Sequence, residues 1–286
     1  MRGMDPEDRI LELVRLTATS LPEDVAAALR RARRREKPSS AAAAALNDIL
    51  ANIRLAEKAS TPLCQDTGIP TFYIDERLRG RVTEDCVRAA VAEATRRGWL
   101  RKNCIDPVTG KSQDDNCGVG IPAIHWRRGI ERDGRPAAAL LLKGGGSENV
   151  SRQYSLPDAT LGPGGAGRDL EGVRRCILHA ATAAQGRGCA PGILGVCIGG
   201  DRAEGFAAAK EQLLRSLDDA SPDPALARLE RRTLREANSL GIGPMGLGGK
   251  TTLLGVKIAA RHRLPASFFV TVAYMCWALR RRSVAF

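Results

Sequence analysis

The sequence predicts a mixed α/β protein in which a helical N-terminal region, residues 1–60, packs on an α/β core, residues 61–286. Two observations favour this class. Apolar residues recur at helical spacing through the first 60 residues, whereas the remainder alternates short apolar runs with helical segments. Because no repeat and no sharp change of composition marks a linker, we also expect residues 8–283 to form one continuous domain.

Three helices are expected in the N-terminal region. Asp5 and Pro6 are residue types that favour the N-cap and the first turn of a helix. A second helix is expected over residues 22–35, and a third extends from a serine cap at position 39 or 40 to about residue 58.

The core is expected to alternate strands and helices after a segment, residues 62–74, that is too rich in Gly and Pro for a helix. The predicted helices are 83–97, 168–184, 203–217 and 222–238, and the predicted strands are 118–126, 136–142, 193–198, 253–260 and 268–273.

The charge balance invites a nucleic-acid interpretation, because 44 Lys and Arg against 32 Asp and Glu give a formal charge of +12. The densest basic patches are residues 30–35 and 280–282. Neither contains the aromatic residues that stack bases, and no DNA- or RNA-binding signature is present. We therefore interpret both patches as solvated surface, which can also steer an anionic substrate, and keep a basic nucleic-acid-binding protein as a remote alternative.

A soluble cytoplasmic protein without membrane association is expected. Residues 1–16 are charged and lack the apolar region of a secretory signal. The longest apolar run, residues 264–279, is shorter than the roughly 20 residues that a spanning helix needs, so we interpret it as buried core. Eight cysteines in such a chain favour thiols or metal ligands over a disulfide framework.

Two glycine-rich segments can bring main-chain N–H groups close to a ligand. Residues 241–252 resemble a phosphate-binding P-loop, but Pro244 occupies the position of its first glycine, and the segment follows a predicted helix instead of a strand. What remains is a loop with Lys250 that suits a carboxylate as well as a phosphate. Residues 143–147, Lys-Gly-Gly-Gly-Ser, are expected to form a similar loop at the end of a strand.

The cysteine pattern leaves several roles open. No C-x-x-C spacing is present. Cys64 and Cys189 lie in Gly- and Pro-rich turns of the kind that carry ligands, whereas Cys276 alone would be interpreted as a core thiol. Among only three histidines, His262 is the best candidate for a functional role, because it lies between two arginines.

Five segments in this order resemble one family: residues 64–68 (Cys-Gln-Asp-Thr-Gly), 143–147, 188–191 (Gly-Cys-Ala-Pro), 243–250 and 272–276 (Val-Ala-Tyr-Met-Cys). The chain is similar over nearly its whole length to the α subunit of class I iron–sulfur hydro-lyases, which include fumarate hydratases and tartrate dehydratases.

The resemblance implies a [4Fe–4S] cluster in the core, held by Cys64, Cys189 and Cys276. Three ligands for four irons leave one iron with open positions, which acts as a Lewis acid toward the substrate.

The resemblance also implies roles for residues around the substrate. Asp66 is expected as an acid/base or hydroxyl-orienting group, with Gln65 beside it. Arg101 is similar to an arginine that clamps a substrate carboxylate. The remaining expected substrate-binding residues are Lys143, Gly145, Gly146, Lys250 and His262.

One position departs from the family pattern. Class I fumarases have a substrate-facing histidine twelve residues before the third cysteine, where this chain has Leu264, with His262 two residues earlier. The departure affects the histidine contact and the choice of substrate.

The implied reaction is the reversible hydration of fumarate to L-malate, with dehydration of L-tartrate to oxaloacetate as the alternative. In this family a β-type domain or subunit supplies further active-site residues. We therefore expect this chain, which ends at Phe286, to be inactive alone and to act with a separate β subunit, as an α2β2 assembly, on a small dicarboxylate.

Overall fold

The computed structural model describes residues 5–286, and the chain divides into two compact units. The first comprises the described part of Met1–Pro22, together with Ala51–Gly145 and Ala278–Phe286, and the second comprises Glu23–Leu50 and Gly146–Trp277. The predicted boundary between residues 60 and 61 does not coincide with these units, because both of them draw on the first 60 residues. Residues 1–4, which open the charged N-terminal segment, lie outside the described residues.

The helices and strands of the described residues follow in chain order. The helices are α1 (Pro6–Thr19), α2 (Glu23–Arg35), α3 (Ala41–Ala59), α4 (Glu84–Arg96), α5 (Gly145–Asn149), α6 (Leu170–Ala184), α7 (Arg202–Gln212) and α8 (Pro224–Asn238). The strands are β1 (Ile69–Asp75), β2 (Cys104–Ile105), β3 (Ser112–Gln113), β4 (Ala123–Arg127), β5 (Glu131–Arg132), β6 (Arg135–Lys143), β7 (Arg152–Ser155), β8 (Gly192–Ile198), β9 (Leu253–Ala260), β10 (Phe269–Met275) and β11 (Arg280–Ala285).

The first unit is built on a sheet with the order β11-β6-β1-β4, to which β5 adds at β6. Strand β1 is parallel to β4 and antiparallel to β6, and its register pairs Ile69 with Lys143. Helix α1 packs on β6, β11 and α4. Its apolar face, which includes Ile10 and Val14, is buried with Leu140 and Leu142 of β6. This sheet brings the start of β1 and the end of β6 together.

The second unit is built on a sheet with the order β7-β10-β8-β9. Strand β8 is parallel to β9 and antiparallel to β10. Helix α7 packs on β8 and β10, and helix α8 packs on β9 and α6. Because every residue of β8 is buried, its sequence is a continuous apolar run instead of an alternating one.

The predicted helix starts of the N-terminal region are confirmed. The Asp5 carboxylate accepts a hydrogen bond from the Glu7 N–H at 3.0 Å, with Pro6 in the first turn. Ser40 caps the third helix, because its hydroxyl accepts from the Ala43 N–H at 3.1 Å. The second helix occupies Glu23–Arg35 as expected.

Several predicted segments differ in the structure. The strand expected over residues 118–126 begins only at Ala123, because Gly118 and Ile121 close a turn by exchanging main-chain hydrogen bonds. The helix expected over 203–217 ends at Gln212. The apolar run 264–279 is buried only in part, since residues 264–266 are exposed.

The basic patch at residues 280–282 was expected as solvated surface, and that expectation is wrong. These residues begin β11, which pairs with β6, and Arg280 is only 1% exposed. The arginines at 30, 31, 34 and 35 are exposed on α2, as expected. Among residues 5–286, no helix is both long enough and apolar enough to cross a membrane.

Candidate functional site

In the first unit, the loop of residues 64–68 is pressed against the end of β6. Gly68 has a φ of +79°, and a Cβ placed on it would lie 2.4 Å from the carbonyl carbon of Lys143. The Gly68 N–H donates to the Asp66 carboxylate at 3.1 Å. A Cβ on Gly144 would lie 2.6 Å from the other carboxylate oxygen of Asp66. Two glycines are therefore required for this close approach, which fixes the Asp66 side chain against the main chain.

The segment 143–147 is not the loop that the sequence predicted. Lys143 is the last residue of β6 and is only 2% exposed, and α5 begins at Gly145. A Cβ on Gly145 would lie 3.8 Å from the Asp66 carboxylate, whereas one on Gly146 would meet open space. The chain turns directly from a buried strand into a short helix, because consecutive glycines leave room for the Asp66 carboxylate beside the backbone.

Arg101 lies on the surface beside this loop. Its N–H donates to the Thr67 hydroxyl at 2.9 Å, while its side chain is exposed. Gln65 is also exposed, and its main-chain carbonyl accepts a hydrogen bond from the side-chain amide of Asn103 at 3.4 Å. The structure thus brings the segment of Arg101 to the consecutive residues Gln65 and Asp66 in the first unit. The sequence analysis had linked Arg101 to these two residues only through resemblance.

Asn116 holds the segment that carries Arg101, and the sequence analysis did not single it out. Its buried amide oxygen accepts from the N–H groups of Asn103 and Cys104, at 2.8 and 3.0 Å. Its amide nitrogen donates to the Arg101 carbonyl at 2.7 Å and to the Thr95 hydroxyl at 3.0 Å. The Asn116 side chain therefore joins partners that are 12 to 21 residues away in the sequence. No local sequence motif predicts these contacts.

In the second unit, Cys189 and Cys276 lie on neighbouring turns. Cys189 follows the 3-10 turn Gln185–Gly188, has a φ of +51° and is exposed. The Trp277 N–H donates to the Cys189 carbonyl at 3.2 Å, so the backbone that follows Cys276 is tied to Cys189. Cys276 itself is partly exposed.

Tyr274 is the buried residue against which the Cys189 turn packs. A Cβ on Gly188 would lie 2.3 Å from its ring, and one on Gly192 would lie 2.4 Å from it. Burial raises the pKa of Tyr274, and the nearby thiols of Cys276 and Cys189 raise it further. The two cysteines are therefore close to the same aromatic ring.

Lys250 and His262 lie in exposed loops of the second unit. The segment before Lys250 contacts the Cys189 turn, because the Met245 N–H donates to the Ala190 carbonyl at 2.8 Å. The main-chain N–H of Lys250 donates to the Glu36 carboxylate at 2.8 Å, and the side chain of Lys250 is exposed. His262 lies between β9 and β10, where its carbonyl accepts from the Gly200 N–H at 3.2 Å.

Burial acts on the thiols of the other five cysteines. Burial raises the pKa of Cys176 to about 12 and that of Cys197 to about 11, so both thiols stay protonated. Burial also raises the pKa of the remaining three, which are Cys86, Cys104 and Cys117.

The set of Cys64, Cys189 and Cys276 fits an iron–sulfur cluster in its chemistry. All three are at least partly exposed, as thiolate ligands of an added cluster must be before it binds. Within residues 5–286, no three His, Cys, Asp or Glu side chains converge to hold one metal ion. The cysteines of a cluster bind different irons, so they need not converge in this way.

The fold and these groups define a class of protein: a mixed α/β protein that presents a carboxylate, a guanidinium and thiols on glycine-rich turns. Residues 7–285 match the family described as Fumarate hydratase (Fumerase). The chain therefore belongs to the class I fumarate hydratase and tartrate dehydratase α-type family, whose named members are hydro-lyases.

Curated relatives carry both names within this family. The chain is 48% identical over 279 residues to "Putative fumarate hydratase class I" of Geobacillus stearothermophilus, covering 97% of this chain and 54% of that protein. It is 34% identical to "Putative L(+)-tartrate dehydratase subunit alpha" of Methanocaldococcus jannaschii, covering 97% and 96% respectively. It is 28% identical to the L(+)-tartrate dehydratase subunit alpha of Escherichia coli (strain UTI89 / UPEC), covering 95% and 88%. The chain thus spans about half the length of the Geobacillus relative and most of the other two.

Proposed function

We propose that this chain is the α-type component of a class I fumarate hydratase, which interconverts fumarate and L-malate at a [4Fe–4S] cluster. The observation that carries the proposal is the 48% identity to a protein named as a class I fumarate hydratase, together with the family match over residues 7–285. In support of it, the main chain of Arg101 is bonded to Thr67, the residue after Asp66, so two of the residues expected around the substrate lie on contacting segments of the first unit.

Cys64, Cys189 and Cys276 are the proposed ligands of the cluster, which supplies a Lewis acid for the substrate when bound. Iron binding in this proposal depends on all three thiols, so loss of any one of them removes the cluster.

Asp66 is the proposed acid/base group. Its carboxylate receives one hydrogen bond from the Gly68 N–H and lies against Gly144, so its orientation is restricted before substrate binds. In hydration, a carboxylate oxygen of Asp66 orients the attacking water and accepts its proton, and in dehydration the protonated Asp66 returns that proton to the hydroxyl, which leaves as water. The proton that the neighbouring carbon gains or loses is exchanged with an acid/base group of the proposed β subunit. Gln65 is exposed beside Asp66. Its side-chain amide donates a hydrogen bond to the same hydroxyl.

Arg101 is the proposed clamp for one substrate carboxylate. Its guanidinium is exposed, and its main chain is fixed at both the N–H and the carbonyl, so a bidentate contact requires ordering of the side chain but not of the backbone. The N–H groups of Gly145 and Gly146 are the proposed donors to this carboxylate. Lys250 and His262 are further proposed substrate-binding residues, and buried Lys143 contributes its charge instead of a direct contact.

Tartrate dehydration is the second candidate, because two relatives named as L(+)-tartrate dehydratase subunits alpha are 34% and 28% identical to this chain. Proteins named as α subunits imply a separate β subunit. We propose that this chain also acts with a β subunit, as an α2β2 assembly in the cytoplasm.

The test is a side-by-side rate assay on fumarate and L-tartrate, with anaerobically reconstituted chain in the presence and absence of its β subunit. We expect turnover of fumarate only with both subunits. Preference for tartrate selects the second candidate, and full turnover by the α chain alone overturns the need for a partner. The variant Asp66→Asn should lose activity, whereas Asp133→Asn, an exposed carboxylate on the β5–β6 turn, should keep it.

A further inference from the structure

Arg280 is a buried arginine that no step of the proposed mechanism uses. It is only 1% exposed, although an arginine stays charged at any pH at which the protein is folded. Placing a permanent charge in the interior is costly unless the charge interacts with polar groups. The groups that contact Arg280 therefore indicate why an arginine is present.

The guanidinium of Arg280 binds the loop that carries Asp66. Its Nη2 donates to the main-chain carbonyl of Asp66 at 2.9 Å, across 214 positions of sequence. Its Nε is buried without a hydrogen-bond partner among residues 5–286. The contact to the Asp66 carbonyl is therefore the polar interaction of this guanidinium that the structure shows directly.

The register of the sheet explains this contact. Strand β11 pairs Arg280 with Leu142 of β6, the residue before Lys143. Ile69, which directly follows Gly68, is paired with Lys143 where β1 lies beside β6. Arg280 therefore lies at the end of the sheet where the main chains of Gly68 and Lys143 approach each other.

We propose that Arg280 is a positioning residue that fixes the 64–68 loop, and with it the Asp66 carboxylate and Cys64, in the geometry that substrate and iron require. The proposal rests on the proposed function for its effect on turnover, but not for its effect on the loop. Because the Asp66 carbonyl accepts from Arg280 and the Asp66 carboxylate accepts from the Gly68 N–H, loss of the guanidinium removes one of the restraints on this loop.

Arg282 provides a matched control on the same strand. Its Nε donates to the Leu16 carbonyl at 3.2 Å, and its Nη2 donates to the Ser20 hydroxyl at 2.7 Å and to the Leu21 carbonyl at 3.3 Å. Like Arg280, Arg282 is at least partly buried and donates to main-chain carbonyls. The carbonyls that Arg282 binds belong to α1 and to the residues directly after α1, and not to the 64–68 loop. Removing it should affect stability without releasing the 64–68 loop.

The experiment compares Arg280→Met, Arg280→Lys and Arg282→Met in the full chain. Amide hydrogen exchange of residues 64–68 is measured without iron, alongside the thermal midpoint. After anaerobic reconstitution with the β subunit, iron content, kcat and KM are measured. We expect Arg280→Met to raise exchange at the Gly68 amide by about tenfold or more, because a restraint on its acceptor is lost. We also expect it to lower kcat more than it raises KM.

Two results support the proposal. In Arg280→Lys, the Gly68 amide should recover part of its protection against hydrogen exchange, and kcat should recover in part. In Arg282→Met, exchange at the Gly68 amide should be unchanged. Equal exchange at Gly68 in the wild type and in both Arg280 variants overturns it. So does an increase of the same size in Arg282→Met, because it reports general destabilisation. If Arg280→Met does not fold, Arg280→Lys decides by the same exchange measurement. A wild-type chain without hydratase or dehydratase activity refutes the proposed function but leaves the exchange test intact.

Discussion

At the scale of single residues, the Asp66 carboxylate is restricted by glycines on two segments. Gly68 donates to it, and Gly144 leaves room for it. These glycines are needed for different reasons, since Gly68 has a positive φ and a Cβ position crowded by backbone, whereas the atoms nearest a Cβ on Gly144 are those of the Asp66 carboxylate. Substitution of Gly144 therefore tests the position of the carboxylate with little change to the backbone.

Gly144→Ala should lower the hydration rate by about tenfold or more while lowering the free energy of unfolding by only about 1 kcal/mol. The new methyl group would lie 2.6 Å from the Asp66 carboxylate, which can rotate away but then leaves its working position. Steady-state kinetics and urea unfolding measure the two effects. Gly167→Ala is the control, because a Cβ there would lie 3.2 Å from the carboxylate of Asp169, which has no proposed role in the reaction. Unchanged activity in Gly144→Ala would show that the position of Asp66 does not limit the rate.

Asn116→Asp should destabilise the chain by about 1–3 kcal/mol, because two donated hydrogen bonds are lost in a buried site. The new carboxylate oxygen would also face the Arg101 carbonyl, so Arg101 should move and KM for the dicarboxylate should rise. Thermal unfolding and KM measure both effects. Asn103→Asp, the same change at an exposed position, should cost less stability. Equal losses in the two variants would mean that Asn116 has no special part in holding the segment.

At the scale of elements, the sequence predicts best where periodicity and caps are local. Strand β9 was predicted at its observed bounds of Leu253–Ala260, because a continuous apolar run forms a buried strand. Strand β11 was missed, because its three arginines resemble surface and its partner β6 lies more than 130 residues away. Helix α5 was missed because three successive glycines favour a loop by local propensity, while packing beside Asp66 decides otherwise.

The turn after β1 provides a pH-dependent test of one element. Asp75 caps the turn Glu76–Leu78, and its pKa is lowered to about 2, first by the Arg77 guanidinium at 2.7 Å and then by the N–H groups of Arg77 and Gly129. A lowered folded-state pKa stabilises the protein above the unfolded-state value of about 3.9, and this stabilisation is lost as the pH falls toward 2.

Asp75→Asn should therefore lower the urea midpoint of unfolding most near about pH 7, and the difference from the wild type should shrink between about pH 4 and pH 2. Asparagine keeps the capping ability, so the comparison isolates the charge. The control is Asp133→Asn, whose exposed carboxylate lies 3.7 Å from Arg132. A difference between Asp75→Asn and the wild type that does not vary with pH would show that the charge of Asp75 contributes nothing.

At the scale of the whole molecule, the family and its ordered motifs were predictable, but the contacts that Arg280 and Asn116 make to the segments carrying Asp66 and Arg101 were not. Motif residues such as Cys64 and Asp66 lie within three consecutive positions, so their pattern can be recognised in the sequence alone. Arg280 and Asn116 act on partners distant in sequence, and only the fold brings them together. The division into two units was also absent from the composition, because the chain passes between them without a linker-like segment.

The central claim is that three particular cysteines of eight hold a cluster on which hydro-lyase activity depends. The most direct measurement is the iron and sulfide content of anaerobically reconstituted wild type, Cys64→Ser, Cys189→Ser, Cys276→Ser and Cys86→Ser. Cys86 is the control, because it is a partly buried thiol in α4 whose pKa is raised by burial. We expect about four irons per chain in the wild type and Cys86→Ser, and large losses in each of the other three variants. Wild-type levels of iron in any of those three, or a wild-type chain that binds no iron, would contradict the account.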